Sequence, residues 1–223
     1  MSNALVLLSG GIDSTTALAL AMERGDHENV LAIIFNYGQR HKAEVDAAVK
    51  IADNYGIVHR IERIPVGHGG VLMDHHAKMP HMTYEEIAES EGPSPTYVPF
   101  RNACFLSHAT SNALELGCDT LYAGMHGEDA HNWAYPDCTP EFIGAMQNAI
   151  YIGSYFKVRL VCPFTYLTKA EVIAVGMEYD APYHLTVSCY EGTTPPCEKC
   201  PTCIARAQAF KDAGFEDPIY ARK

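Results

Sequence analysis

The residues best suited to chemistry lie near the two ends of the chain. Close to the start, the apolar run Leu5 to Leu8 passes into Ser9-Gly10-Gly11-Ile12-Asp13-Ser14, and a helical pattern begins at about Ser14. This reads as a buried strand turning sharply into a helix. Adjacent glycines reach backbone angles closed to other residues, so successive N–H groups can converge on one anion, and the helix N-terminus adds partial positive charge. The turn is therefore expected to cradle phosphate. A kinase-type P-loop requires G-x-x-x-x-G-K-[ST], but no lysine or arginine lies between Met1 and Arg24, and the dinucleotide fingerprint G-x-G-x-x-G is also missing. Towards the other end, Cys189, Cys197, Cys200 and Cys203 follow the spacing C-x7-C-x2-C-x2-C. Four soft ligands gathered so tightly predict a tetrahedral Zn²⁺ site. An iron–sulfur cluster is the rival, and zinc is preferred because a closed four-cysteine site needs no redox partner. Cys104, Cys118 and Cys162 sit in apolar settings and read as core residues.

The elements that must position these groups follow from periodicity. Ser14 to Arg24 places Ala17, Leu18, Ala21 and Met22 on one helical face, and Gly25 closes it. Val30 to Phe35 is a continuous apolar run, Gln39 to Asn54 a second amphipathic helix, and Ile57 to Val66 a third strand candidate. Strand–helix alternation of this kind predicts an α/β fold, an open parallel sheet with helices on both faces. Ligands of such sheets bind beyond the carboxyl ends of the strands, where Ser9 to Ser14 and Asn36 to Arg40 would both be found. Residues 67–99 break the rhythm and read as a loop or lid insertion with one short helix over 84–90. Its histidines, His68, His75, His76 and His81, lack a tight ligand spacing and read as solvated loop residues.

Beyond the insertion, a helix is expected from about Arg101 to Leu116, closed by Gly117, then a strand over Thr120 to Ala123. The polar and aromatic loop from Glu128 to Asp137 reads as substrate contacts. A helix over Phe142 to Phe156, a strand over Val158 to Val161 and a helix over Leu167 to Met177 complete the pattern, the last with a Thr168/Glu171 capping box. The chain reads as one domain over 1–223, with 184–223 as its zinc-binding segment.

Composition narrows the function. The formal net charge is -11 across 223 residues. A protein built to grip nucleic acid is expected to carry a basic surface, so a small-molecule substrate is favoured and no direct nucleic-acid contact is expected. There is no apolar run of transmembrane length, and the start MSNALVLL has neither a basic region nor a cleavage signal, so a cytoplasmic protein without membrane contact is expected.

The string S-G-G-x-D-S resembles the pyrophosphate loop of the PP-loop ATP pyrophosphatase superfamily, whose fold is Rossmann-like and whose members cleave ATP at its α phosphate. With NYGQRH at Asn36 to His41, YVPFRN at Tyr97 to Asn102, YPDCTPEFI at Tyr135 to Ile143, LTKAEVI at Leu167 to Ile173, SCYEG at Ser188 to Gly192 and C-x2-C-x2-C-x2-R ending at Arg206, the chain is similar end to end to the 7-cyano-7-deazaguanine synthase family. That resemblance implies ATP and Mg²⁺ as cofactors beside the zinc. It implies conversion of 7-carboxy-7-deazaguanine and ammonia to the nitrile through an adenylate and an amide, and it allows a homodimer. By the same resemblance Leu8, Ser9, Gly10, Gly11, Ser14, Thr15 and Thr16 would hold the pyrophosphate, with Asp13 on Mg²⁺ or on the loop itself. Arg101 would take the substrate carboxylate or a phosphate, Lys169 would neutralise a phosphate, and Asn102, Asp129, Tyr135 and Asp137 would contact the deazaguanine. Three departures are expected near the substrate pocket. Asp129-Ala-His-Asn-Trp-Ala is two residues longer than the usual Asp-Tyr-Ser-Gly and carries Trp133, Phe100 replaces glycine, and Thr139 replaces arginine. They raise the alternatives of a variant that stops at the amide, or of another PP-loop adenylating enzyme acting on tRNA.

Overall fold

Side-chain alternation along the first strand sets the architecture. In the computed structural model, which describes residues 2–24, 26–39, 42–67, 69–73, 86, 89, 92–193 and 195–220, β1 (Ser2–Leu7) is the middle strand of a five-stranded sheet. Leu5 joins one apolar cluster, while Ala4 and Val6 join another on the opposite face. Its neighbours are β2 (His27–Asn36) and β4 (Thr120–Tyr122); β3 (His59–Arg63) and β5 (Arg159–Val161) form the edges. The order is β3-β2-β1-β4-β5 and every pairing is parallel. Parallel strands buried on both faces demand helices on both. The helices α1 (Ile12–Glu23) and α2 (Ala43–Asn54) cover one face through Leu18, Ala21, Val45, Ala48 and Ile51. On the other lie α3 (Arg101–Leu116) and α4 (Pro140–Gly153), which contribute Leu106, Ala109, Ala113, Ile143 and Ile150. The expected α/β architecture is thus the observed one.

An outer layer rests on α1. There α5 (Lys169–Glu178) and α6 (Pro201–Asp212) bury Ile173, Ala209 and Phe210 against Ile12, Ala19 and Tyr183. The capping box of α5 is present, with Thr168 accepting from the Glu171 N–H and Glu171 accepting from the Thr168 N–H. Helix α6 was not legible from periodicity. It starts inside the cysteine cluster, where Cys200 is the N-cap and Pro201 opens the first turn, a place where its missing N–H costs nothing.

The chain direction reverses between β1, which leads out to β2, and β4, which leads out to β5. This switch point opens a crevice beyond the strand ends. Two glycines let it close tightly. Gly10 has φ +87°, and a Cβ built there would lie 2.4 Å from the Glu44 carbonyl oxygen, so the loop seats directly on α2. At Gly124 a Cβ would meet the Asp13 carbonyl at 2.5 Å, which brings the exit of β4 against the start of α1. Among the described residues no helix is long and apolar enough to cross a membrane. Gly25, Arg40, His41, the four histidines of the insertion and most of the segment 84–90 lie outside the described residues.

Candidate active site

The loop after β1 is stiffened by its own hydroxyls. The Ser9 N–H donates to Ser14 Oγ at 3.1 Å, while the hydroxyls of Ser14 and Thr15 donate back to the Gly11 carbonyl at 3.2 and 2.7 Å. Gly11 itself is extended, at φ -87° and ψ 173°, and starts α1 at Ile12, two residues earlier than the apolar periodicity implies. Beside this loop lies a cavity of about 790 Å³ whose wall includes Leu8, Ser9, Gly11, Asp13 and Ser14. It also takes in Arg101, Asn102, Asp129 and Lys169 from distant parts of the chain.

Charge is concentrated at one end. Lys169 Nζ donates to Asp13 Oδ1 at 2.6 Å, both side chains being about three-quarters buried. The Lys169 backbone N–H donates to Glu128 Oε2 at 2.6 Å, so the N-terminus of α5 is anchored to the loop after β4. Burial by itself raises the Asp13 pKa, but Lys169 and then His126 outweigh it and hold the carboxyl below 3.8. His126 is almost fully buried, with Nε2 3.8 Å from Asp13 and 3.5 Å from Asp129, and among the described residues neither ring nitrogen has a hydrogen bond. Asp13 therefore holds α1 to α5 through Lys169, while Gly11 is the N-cap of α1.

The other end is aromatic. Arg101, the first residue of α3, lies over the Tyr37 and Phe105 rings at 5.5 and 5.7 Å and donates through Nη1 to Tyr37 Oη at 3.2 Å. Its Nε is buried and has no partner among the described residues. Glu44, in the first turn of α2, and Tyr190 complete this end of the wall. Burial raises the Glu44 pKa, and Arg101 offsets this only in part.

Several expected contacts sit elsewhere. Gly10, Thr15, Thr16, Tyr135 and Asp137 are not part of the cavity wall. Thr15 and Thr16 are fully buried, and the Thr16 hydroxyl shares Ile12 O and Tyr183 Oη. Asp137 accepts from the Asn102 N–H at 3.0 Å, so it fixes the start of α3. The Tyr135 hydroxyl bonds Ser94 and Thr96 and ties down residues 92–99 of the insertion. Of the segment read as substrate contacts, Glu128 and Asp129 line the cavity while Tyr135 and Asp137 are bonded within the protein, and it runs in short 3-10 turns over Gly127–Trp133 and Pro136–Cys138. The three departures also stand off the wall. Phe100 and Trp133 are exposed, at φ +59° and +62°, and Thr139 is buried as the N-cap of α4, accepting from the Phe142 N–H at 3.1 Å. Conversely, Glu44 and His126 line the cavity although the sequence assigned them no role, and so do Glu128, from the loop read as substrate contacts, and Tyr190, from the SCYEG string. Glu44 had a signal, since it lies one turn into the helix that follows Asn36 to Arg40. On an amphipathic helix, however, a glutamate reads as a solvated face.

The four-cysteine cluster has formed. The sulfurs of Cys189, Cys197, Cys200 and Cys203 all lie within 4.8 Å of one another, and none is in a disulfide. Tetrahedral zinc with ordinary Zn–S bonds sets its sulfurs roughly 3.8 Å apart; Cys197 and Cys203 are 3.9 Å apart. Backbone N–H groups of Cys197 and Cys200 donate to the sulfurs of Cys189 and Cys197. The cluster can hold a metal ion, and its donor set fits zinc. It is also joined to the loop, because the Val187 N–H donates to the Gly10 carbonyl at 2.9 Å.

Comparison with known proteins adds to this geometry. The family model described as "Queuosine biosynthesis protein QueC" matches residues 3–214. The chain is 37% identical to the 7-cyano-7-deazaguanine synthase of Persephonella marina, over 100% of the chain and 98% of that protein. It is 38% identical to that of Thermoplasma acidophilum, over 99% and 92%. It is 39% identical to that of Clostridium kluyveri, over 98% and 97%. Among solved structures, the tRNA thiolase NcsA of Methanococcus maripaludis superposes with TM-score 0.52 at 18% identity, over 95% of the chain and 67% of that protein. The NMN synthetase of Francisella tularensis gives 0.51 at 15%, over 96% and 78%. These two likenesses speak to fold alone.

Proposed function

The chain belongs to the QueC family of queuosine biosynthesis proteins, and on that premise we propose that it converts 7-carboxy-7-deazaguanine and ammonia, with ATP, to 7-cyano-7-deazaguanine. The observation that carries this reading is the cavity in which the glycine loop, the Asp13–Lys169 pair and Arg101 converge. A carboxylate is a poor electrophile. Adenylation gives it a good leaving group, and donors of the loop and Lys169 would stabilise the pyrophosphate expelled. In this reading the loop from Ser9 to Ser14 receives the pyrophosphate, Lys169 neutralises charge developing beside it, and Arg101 binds the substrate. Asp13 orients the Lys169 ammonium. Ammonia then displaces AMP to give the amide, and a second activation removes the amide oxygen on AMP to leave the nitrile. Mg²⁺, arriving with the phosphates of ATP, would supply further charge neutralisation.

Zinc at Cys189, Cys197, Cys200 and Cys203 would act as a closed structural centre, fixing the start of α6 and, through Val187, the back of the loop. The purified protein is expected to be colourless and to contain about one zinc per chain by elemental analysis. A brown protein absorbing near 400 nm would assign the cluster to iron and sulfide instead.

The reaction is tested by mass spectrometry of the products formed from 7-carboxy-7-deazaguanine, ATP, Mg²⁺ and ammonia. The expected outcome is the nitrile with twice as much AMP as product, unaffected by added tRNA. Amide with equal AMP would show that the chain stops one step early. AMP release that requires tRNA would move it to a different PP-loop chemistry.

A further inference from the structure

Neither the motifs nor the relatives' names say which group of this chain distinguishes a guanine-type base from any other heterocycle. The residues first expected to do so, Tyr135 and Asp137, are spent on the scaffold. Asp129 stands at the charged end, 3.5 Å from His126. At the aromatic end, a carboxylate and a guanidinium face the same space from opposite faces of the sheet, Glu44 from α2 and Arg101 from α3.

We propose that Glu44 and Arg101 together read the amino-pyrimidinone edge of the substrate, Glu44 accepting from the ring N–H and the exocyclic amino group while Arg101 donates to the ring carbonyl. The inference rests on the reaction proposed above and sharpens it, moving Arg101 from the carboxylate or a phosphate to the ring carbonyl.

Geometry and hydrogen-bond inventory both favour this. Glu44 and Arg101 interact electrostatically, yet no ion pair joins them among the described residues. Among the described residues the buried Arg101 Nε has no partner, although the Tyr37 and Phe105 rings and the Tyr37 hydroxyl hold its plane in place. A desolvated donor left open is costly unless a ligand completes it. The edge of a guanine-type ring runs acceptor, donor, donor, which matches guanidinium followed by carboxylate. An adenine-type edge offers an amino donor and a ring acceptor, so it would set donor against donor and acceptor against acceptor. The same pair would therefore keep the adenine of ATP out of the substrate position. The backbone of the turn that carries Glu44 is seated against Gly10.

The test is a cycle between one side chain and one substrate group. AMP formation would be measured for the wild type and for Glu44→Gln, each with 7-carboxy-7-deazaguanine and with its analogue lacking the 2-amino group. For the wild type, losing the amino group is expected to lower kcat/KM about 100-fold or more. Glu44→Gln, which keeps one acceptor oxygen but turns an amide donor towards the other N–H, should lose at least a similar factor with the natural substrate and discriminate much less against the analogue, since both changes disturb the same paired contact. Penalties that simply multiply would overturn the assignment. ATP binding by Glu44→Gln serves as the check on folding, and if that variant is unfolded, Glu44→Asp takes its place in the cycle. Should the wild type form no AMP with the carboxylate, the reaction reading fails on its own, and calorimetry then decides the edge. Preference for 7-deazaguanine over 7-deazaadenine that disappears in Glu44→Gln supports the pair, and equal affinity for both bases rejects it.

Discussion

Lys169→Met is expected to lower carboxylate-dependent AMP release by about 100- to 1,000-fold, the loss typical when one preorganised electrostatic donor leaves an active site. Lys169 is the cation bonded to Asp13, with Nζ 2.6 Å from its Oδ1, beside the loop assigned to pyrophosphate. The substitution keeps much of the side chain's volume, so steady-state kinetics should report the missing charge more than a packing defect. A pH signature accompanies it. Burial raises the Asp13 pKa, and Lys169, with His126, is what holds it below 3.8. A depressed carboxyl contributes stability that is fully present above its unfolded pKa and is lost as pH falls through the folded one. In the wild type that loss therefore lies at pH values below about 4. In Lys169→Met, burial, the largest influence on Asp13, stands opposed mainly by His126, so the carboxyl is no longer held down and the stability lost through it in acid should shrink or vanish. The Asp13→Asn, Lys169→Met double variant should be hardly less active than Lys169→Met, because the two groups act as a unit. Independent losses that multiply would show that Asp13 and Lys169 serve separate steps.

Arg206→Ala is expected to be the most destabilising single change. Arg206 is 3% exposed, and its Nε and Nη2 donate to the two Asp217 oxygens at 2.6 and 2.8 Å. Further bonds reach Thr186 Oγ1 at 2.7 Å and the Tyr183 carbonyl at 3.2 Å, and the guanidinium lies over the Phe210 ring. Removing it strands the Asp217 carboxylate, which is itself 6% exposed. Breaking one partner of a buried pair costs about 3–5 kcal/mol. For a chain of this size each kcal/mol corresponds to about 2–4 °C in Tm, so a fall of roughly 6–20 °C should appear in a thermal melt. Arg206→Met with Asp217→Leu should recover much of it, since an apolar pair leaves no uncompensated charge. A melt unchanged in Arg206→Ala would mean that the C-terminal segment contributes little to the fold.

The legible parts of the molecule were those whose physics is local. Leu5 to Leu8 running into two glycines dictates a buried strand and a sharp turn, and the strand–helix alternation after it dictates a parallel sheet. Thr168 and Glu171 specify a helix start by themselves, and four closely spaced cysteines specify a metal-binding cluster. Helix α6 escaped because its first turn consists of cysteine ligands and a proline, and its apolar positions, Ala209 and Phe210, gain meaning only against Ile12 and Tyr183.

The site divides along the same line. By itself, the sequence determined that a glycine turn joins a buried strand to a helix at Ser9 to Ser14 and that Asp13, Lys169 and Arg101 belong to the strings that carry the family resemblance, because backbone freedom and donor type are properties of the residues themselves. Only the tertiary structure decided which of them meet. It joined Asp13 to Lys169 across 156 positions, turned Thr15, Thr16, Tyr135 and Asp137 to the scaffold, and brought Glu44 and His126 to the cavity wall. Whether a threonine hydroxyl faces a ligand or the carbonyl one turn behind it, and whether a helical glutamate faces water or a substrate, depends on what the sheet packs beside it. Residue type sets what a group can do, and the packing across the switch point between β1 and β4 selects which groups have a ligand to do it to.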